Sequence, residues 1–234
     1  MSDASLSYQK LDYDVFARTR PADDLWGQVR RTVNGQPIPE EQIQMIVAKI
    51  RHSLILQDSD VVLDLACGNG ALSQLLFPFC AELLGVDLSE YMIDIANAHF
   101  ASPPQRRFLH QDASAYLRDE AQPERFTKAL CYGSFSYLTE EQALSALGDL
   151  RERFVNVERI FIGNLPDLDR AHEFYKIKPA GAGEMSDASS QIGIWRSHDD
   201  FKRLAQAAGW QIEISLMPAD FFSAHYRYDV ALYR

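Results

Sequence analysis

Residues 61–70 read VVLDLACGNG, and residues 82–87 read ELLGVD. The first apolar run ends in Asp64-Leu65, breaks into a small-residue loop holding Gly68 and Gly70, and resumes as ALSQLLF. That pattern predicts a buried strand, a tight turn and a helix beginning near Gly70. An open α/β sheet receives a nucleotide-like ligand at such a turn. Asp87 closes the second apolar run, and a carboxylate there can accept hydrogen bonds from both ribose hydroxyls of a nucleoside. The loop and the second acid in register carry more weight than a glycine pattern alone.

Asp64-Leu65-Ala66-Cys67-Gly68-Asn69-Gly70, followed by Gly85-Val86-Asp87-Leu88-Ser89, resembles the cofactor-binding signature of class I S-adenosylmethionine-dependent methyltransferases. The dinucleotide fingerprint G-x-G-x-x-G fits less well, because its third position is Ser73 here. The resemblance implies S-adenosyl-L-methionine as cofactor, held by Asp64, Ala66, Cys67, Gly68, Asn69, Gly70, Asp87, Leu88 and Met92. It also implies that Asp112 and Ala113 meet the adenine ring and that Tyr132 leads the segment beside the reactive methyl group. One departure is Lys128, where the family commonly has an acid near the strand start. A βαβ turn without a ligand is the competing reading.

The chain has 234 residues, 47% of them hydrophobic, which suits one larger α/β domain with a full core. A net charge of −10 argues against nucleic acid as the main partner, since a phosphate backbone selects basic surfaces. Cys67, Cys80 and Cys131 are odd in number and widely spaced, which suits neither a disulfide framework nor a zinc site. A reduced, cytoplasmic compartment is the expectation. The first twenty residues hold no signal-peptide apolar stretch, and no run reaches membrane-spanning length, so no membrane insertion is expected.

Residues 25–32 predict a short helix, followed by a turn at Asn34-Gly35. From Glu40, the spacing of Ile43, Ile46, Val47, Ile50 and Leu54 predicts an amphipathic helix. Residues 1–56 are read as an N-terminal helical cap, with Tyr13 and Trp26 lining a substrate, and residues 57–234 as the methyltransferase domain. Further strands are expected at 107–111, 126–132, 159–163, 210–217 and 226–233, with helices at 90–100, 114–120, 168–177 and 199–208. A helix capped by Thr139 follows strand four. The order matches the Rossmann-like class I architecture: a seven-stranded, mostly parallel sheet with helices on both faces and the last strand antiparallel.

The sulfonium makes the cofactor's methyl electrophilic, so the protein's tasks are alignment and exclusion of water. A hydroxyl acceptor would also use a general base. His225 and His172 are the candidate bases, with Tyr137 as a further catalytic candidate. Phe135, Asn164, Tyr175 and Tyr226 are read as substrate-binding, with Asp167 able to orient the acceptor. No metal-ligand cluster stands out. Residues 26–41, WGQVRRTVNGQPIPEE, resemble methyltransferases that modify sugars of bacterial surface polysaccharides. The expected partner is a small polar methyl acceptor, bound more at oxygen than at nitrogen. Two other readings are a non-catalytic S-adenosylmethionine-binding partner or sensor and a nicotinamide-dependent oxidoreductase. The missing catalytic Tyr-x-x-x-Lys pattern counts against the second.

Overall fold

A computed structural model describes residues 13–33 and 35–234; residues 1–12 and Asn34, half of the expected turn, lie outside the described part. The chain divides into two compact units, Met1–Tyr116 and Leu117–Arg234. In the first, Asp24 caps the short helix α1 (Leu25–Gln28) by accepting from the Gly27 N–H at 2.9 Å. The helix expected over 25–32 stops at Gln28 because Arg30 takes a positive φ of 56° and turns the chain into a hairpin, β1 (Thr32–Val33) with β2 (Gln36–Pro37). Helix α2 (Glu40–Leu54) buries Ile43, Ile46, Val47, Ile50 and Leu54. Glu40 and Glu41 in its first turn and Arg51 and His52 in its last complement the helix dipole.

Three parallel strands follow: β3 (Val61–Leu65), β4 (Glu82–Asp87) and β5 (Arg106–His110). The segment after the glycine loop forms 3-10 turns over Ser73–Phe79 rather than the expected α-helix. Pro78 lies inside it, and proline removes a donor and clashes with the carbonyl four residues back, so an α-helix cannot run through. Ser89 caps helix α3 (Glu90–Phe100) by accepting from the Met92 N–H, and α4 (Ala113–Asp119) follows β5.

In the second unit, β6 (Lys128–Tyr132) runs parallel to β7 (Arg159–Pro166). Lys128 is buried, with its Nζ 2.9 Å from Glu158 Oε2 at the surface, so its charge is paired at the strand's entry. Helices α5 (Glu140–Glu152) and α7 (His198–Ala207) each begin in a capping box, Thr139 with Gln142 and Ser197 with Asp200. The helix expected over 168–177 reduces to a 3-10 turn at Leu168–Arg170 and the single turn α6 (Ala171–Phe174). Pro179, Gly181 and Gly183 then carry no helix onward. Strands β8 (Gln211–Ser215) and β9 (Arg227–Tyr233) complete a seven-stranded sheet of order β5-β4-β3-β6-β7-β9-β8. β9, the last strand, is antiparallel to both its neighbours, as expected. No described helix is long and apolar enough to cross a membrane.

Candidate functional site

The loop leaving β3 is shaped by backbone that ordinary residues avoid. Ala66, Gly68 and Gly70 have φ of 60°, 58° and 75°. At Gly70 a β-carbon would also lie 3.0 Å from the Phe108 ring, so both conformation and space select glycine. Asp87, at the end of β4, ties this loop to its own. Its Oδ2 accepts from the Gly68 N–H and its Oδ1 from the Ser89 N–H, both at 2.8 Å. An ionised carboxylate has about four acceptor positions, so two amides leave capacity for hydroxyl donors. His110 Nε2 sits 3.0 Å from the Leu88 carbonyl and holds the same turn from β5.

Asp64 is 3% exposed and accepts from the Ser73 hydroxyl at 2.6 Å. Burial pushes its carboxyl from 3.8 up to about 7; the Ser73 bond and the Arg31 charge oppose the rise, and Asp87 adds to it. Burial likewise raises Asp87, against the two amide bonds. Cys67 is half-buried, and desolvation with the Asp87 and Asp64 charges raises its thiol well above the ordinary range. Met92 is buried, with its sulfur 3.5 Å from where a Gly68 β-carbon would stand. Asp112 Oδ1 accepts from the Ala115 N–H at 2.8 Å and caps the helix that Ala113 begins. The Asn69 side chain turns inward, donating to the Leu25 carbonyl and to Gln28. Tyr13 and Trp26 hold Arg30 and Arg31 against their rings, at 5.1 and 5.7 Å.

In the second unit, Tyr132 ends β6 and is buried, as is Phe135, whose ring centroid is 5.5 Å from that of Phe201. Residues 191–196 strap down the segment after β6. Tyr137 donates its hydroxyl to the Gln191 carbonyl at 2.8 Å, and the Ile194 N–H donates to the Ser136 carbonyl at 2.7 Å. Asn164 has a φ of 65° where β7 slips register against β9, and its N–H donates to Asp229. Tyr175 and Tyr226 join Phe174 and Trp195 in an aromatic cluster, Trp195 lying 5.5 and 6.1 Å from the two tyrosine rings.

The histidines divide sharply. His172 is 69% exposed beside Glu173, and His225 is exposed with its ring 4.8 Å from Tyr226. His198 was not singled out from the sequence, yet its Nε2 lies 3.3 Å from Oδ2 of Asp167, which is 1% exposed. Arg170 Nε donates to the same oxygen at 2.7 Å, and the Tyr228 ring stands 4.7 Å from the imidazole. The sequence signal was the position of His198 directly after the Ser197 cap; the partnership with Asp167 depends on the return of the long loop to β7. Among the described residues no group of three or more His, Cys, Asp or Glu is arranged to hold a metal ion.

Residues 62–154 match a family model described as a methyltransferase domain. An uncharacterized methyltransferase of Schizosaccharomyces pombe is 49% identical over 90 residues, covering 36% of this chain and 32% of that protein. A ubiquinone biosynthesis O-methyltransferase of Coxiella burnetii is 33% identical over 143 residues, 60% of this chain and 57% of that one. The chain thus spans between about a third and somewhat over half of these relatives. Among solved structures, a DhpI–SAM–HEP complex superposes with a TM-score of 0.67 at 14% identity, covering 100% of both chains. Magnesium protoporphyrin IX methyltransferase of Synechocystis PCC 6803 with bound SAH gives 0.64 at 18% identity, covering 99% of this chain and 100% of that one. At those identities the structures establish the fold. The family match encloses the glycine loop, Asp87 and Asp112. The donor set fits S-adenosylmethionine too: the half-buried Asp87 carboxylate at the strand end for a ribose diol, and the buried acid Asp64 for a cationic ligand. Residues 62–154 therefore match a methyltransferase domain, within a fold shared with these SAM- and SAH-bound structures.

Proposed function

We propose that the protein transfers a methyl group from S-adenosylmethionine to a hydroxyl of a small polar metabolite, an amine being less favoured and a sugar of a bacterial surface polysaccharide being one such acceptor. The observation that carries the cofactor half is the Asp87 carboxylate, fixed by the Gly68 and Ser89 amides with acceptor capacity to spare. In this reading Asp87 takes the ribose hydroxyls, Gly68 and Gly70 let the loop approach closely, and Asp112-Ala113 meets the adenine edge. Asp64 faces the cationic end, with Ala66, Cys67, Leu88 and Met92 enclosing the ligand and Tyr132 beside the methyl group. Bound there, the cofactor supplies a methyl group made electrophilic by its sulfonium.

A hydroxyl must shed its proton as the new bond forms, and a held imidazole can take it. His198, backed by the buried Asp167, joins His225 and His172 as a candidate for that step. Tyr137, Phe135, Asn164, Tyr175 and Tyr226 serve as acceptor-side residues, supported by their grouping around the ends of β6 and β7 and the aromatic cluster. Residues 1–56 act as a cap, with Tyr13 and Trp26 on its inner side. The test is transfer of labelled methyl from S-adenosylmethionine to a panel of saccharides, phenols and amines. Labelled methyl ethers support the reading. Label on amines alone would move the acceptor from oxygen to nitrogen. Cofactor binding with no transfer to any acceptor would favour a sensor.

A further inference from the structure

Residues 13–33 are fastened to both loops that the proposed reading gives to the cofactor, and at the glycine loop the fastening is a buried amide chain. Asn69 is 1% exposed and Gln28 is 0% exposed. Asn69 Nδ2 donates to the Leu25 carbonyl at 2.8 Å and to Gln28 Oε1 at 2.9 Å, while its Oδ1 accepts from the Ala71 N–H at 3.2 Å. Gln28 Nε2 in turn donates to the carbonyls of Pro21 and Ala22, at 3.0 and 3.2 Å. Both protons of each amide are therefore used, which fixes which way each side chain points.

The second loop is held from the same segment. The Ser89 hydroxyl donates to the Asp14 carboxylate while accepting from the Met92 N–H, and the Arg18 guanidinium lies 4.3 Å from the Tyr91 ring centroid. Val29 closes over the loop itself, its Cγ1 3.0 Å from where a Gly68 β-carbon would stand. A buried amide whose partner moves away is left without a hydrogen bond, so the glycine loop and residues 21–28 are held or released together.

We propose that Gln28 is a positioning residue for the cofactor loop: the Gln28–Asn69 pair is a latch that couples the order of residues 13–33 to occupancy of the loop. The proposal rests on the reading of residues 64–70 and 87–89 as the cofactor loops. Coupling of this kind is reciprocal. A ligand on the loops tightens the segment, and breaking the latch loosens the ligand by the same factor, chiefly by speeding its departure.

The experiment uses the full chain and S-adenosylhomocysteine. Trypsin can cut this segment after Arg18, Arg30 and Arg31. In the unaltered protein, saturating ligand is expected to slow cleavage after Arg30 and Arg31 about ten-fold or more. Gln28→Met keeps the volume but removes the amide; it should release the ligand about ten-fold faster and lose protection by a matching factor, with unliganded secondary structure retained. A merely structural Gln28 would lower the melting temperature and leave the dissociation rate unchanged, which overturns the latch. Hydrogen exchange over residues 21–31 of the unaltered chain needs no variant: slowing by ligand supports the latch, and equal exchange overturns it. If the unaltered chain does not bind the ligand at all, the cofactor-loop reading itself fails and the latch with it.

Discussion

At the scale of single residues, Asp64 gives the site a pH signature. Its folded pKa, about 7, lies above its ordinary 3.8, so between those values the native state holds a proton that the unfolded chain has lost. The contribution of this one group to the stability of the unliganded protein is full below about pH 4 and is lost as pH rises from there through 7, on the order of a few kcal/mol. Asp64→Asn should flatten that slope in urea titrations run from pH 4 to 8; an unchanged slope would mean that Asp64 ionises normally. The general base is also a residue-scale question. His198→Ala should slow methyl transfer by about a hundred-fold or more while sparing cofactor affinity, because its imidazole faces a buried carboxylate. His225→Ala and His172→Ala, both of exposed residues, provide the comparison. Loss of turnover in His225→Ala with His198→Ala unaffected would return the role to His225. The strand–loop–strand unit that brings Asp64, Gly68, Gly70 and Asp87 together was legible because they sit at fixed offsets within it. His198 was not, because its partner Asp167 is thirty-one positions earlier and only the folding of the intervening loop joins them.

Individual elements show where local pattern decides structure and where it yields. The buried face of α2 is readable from its helical spacing, and the strands from short apolar runs bounded by turns. The segment after Gly70 looked equally helical, yet Pro78 holds it to 3-10 turns. The strap over residues 134–138 had no periodic signature; it is held by hydrogen bonds from residues 191–196. Gly193 is its tightest point, with a φ of 79° and a β-carbon position 2.5 Å from the Ser136 carbonyl oxygen. Gly193→Ala should therefore cost about 2 kcal/mol or more, from backbone strain and the clash. Urea denaturation reads this directly, and a loss below about 0.5 kcal/mol would mean that the strap is not packed as described.

At the scale of the whole molecule, the seven strands were legible from their alternation with helices, the antiparallel last strand from the class I resemblance, and the cofactor class from one motif pair. The acceptor was not. Composition bounds it only loosely, since a net charge of −10 describes the surface and not the lining of a pocket. The residues proposed for the acceptor side come from separate loops whose meeting depends on tertiary packing, and fold alone does not choose among the chemistries this sheet supports. The central claim is that the paired loops hold S-adenosylmethionine. Calorimetric titration of the full chain with S-adenosylmethionine, S-adenosylhomocysteine and NAD(H), repeated on Asp87→Ala, tests it most directly. Saturable binding of the first two and not the third, weakened about a hundred-fold or more in Asp87→Ala, is the expected result. Binding of NAD(H) alone, or cofactor affinity indifferent to Asp87, would contradict the account.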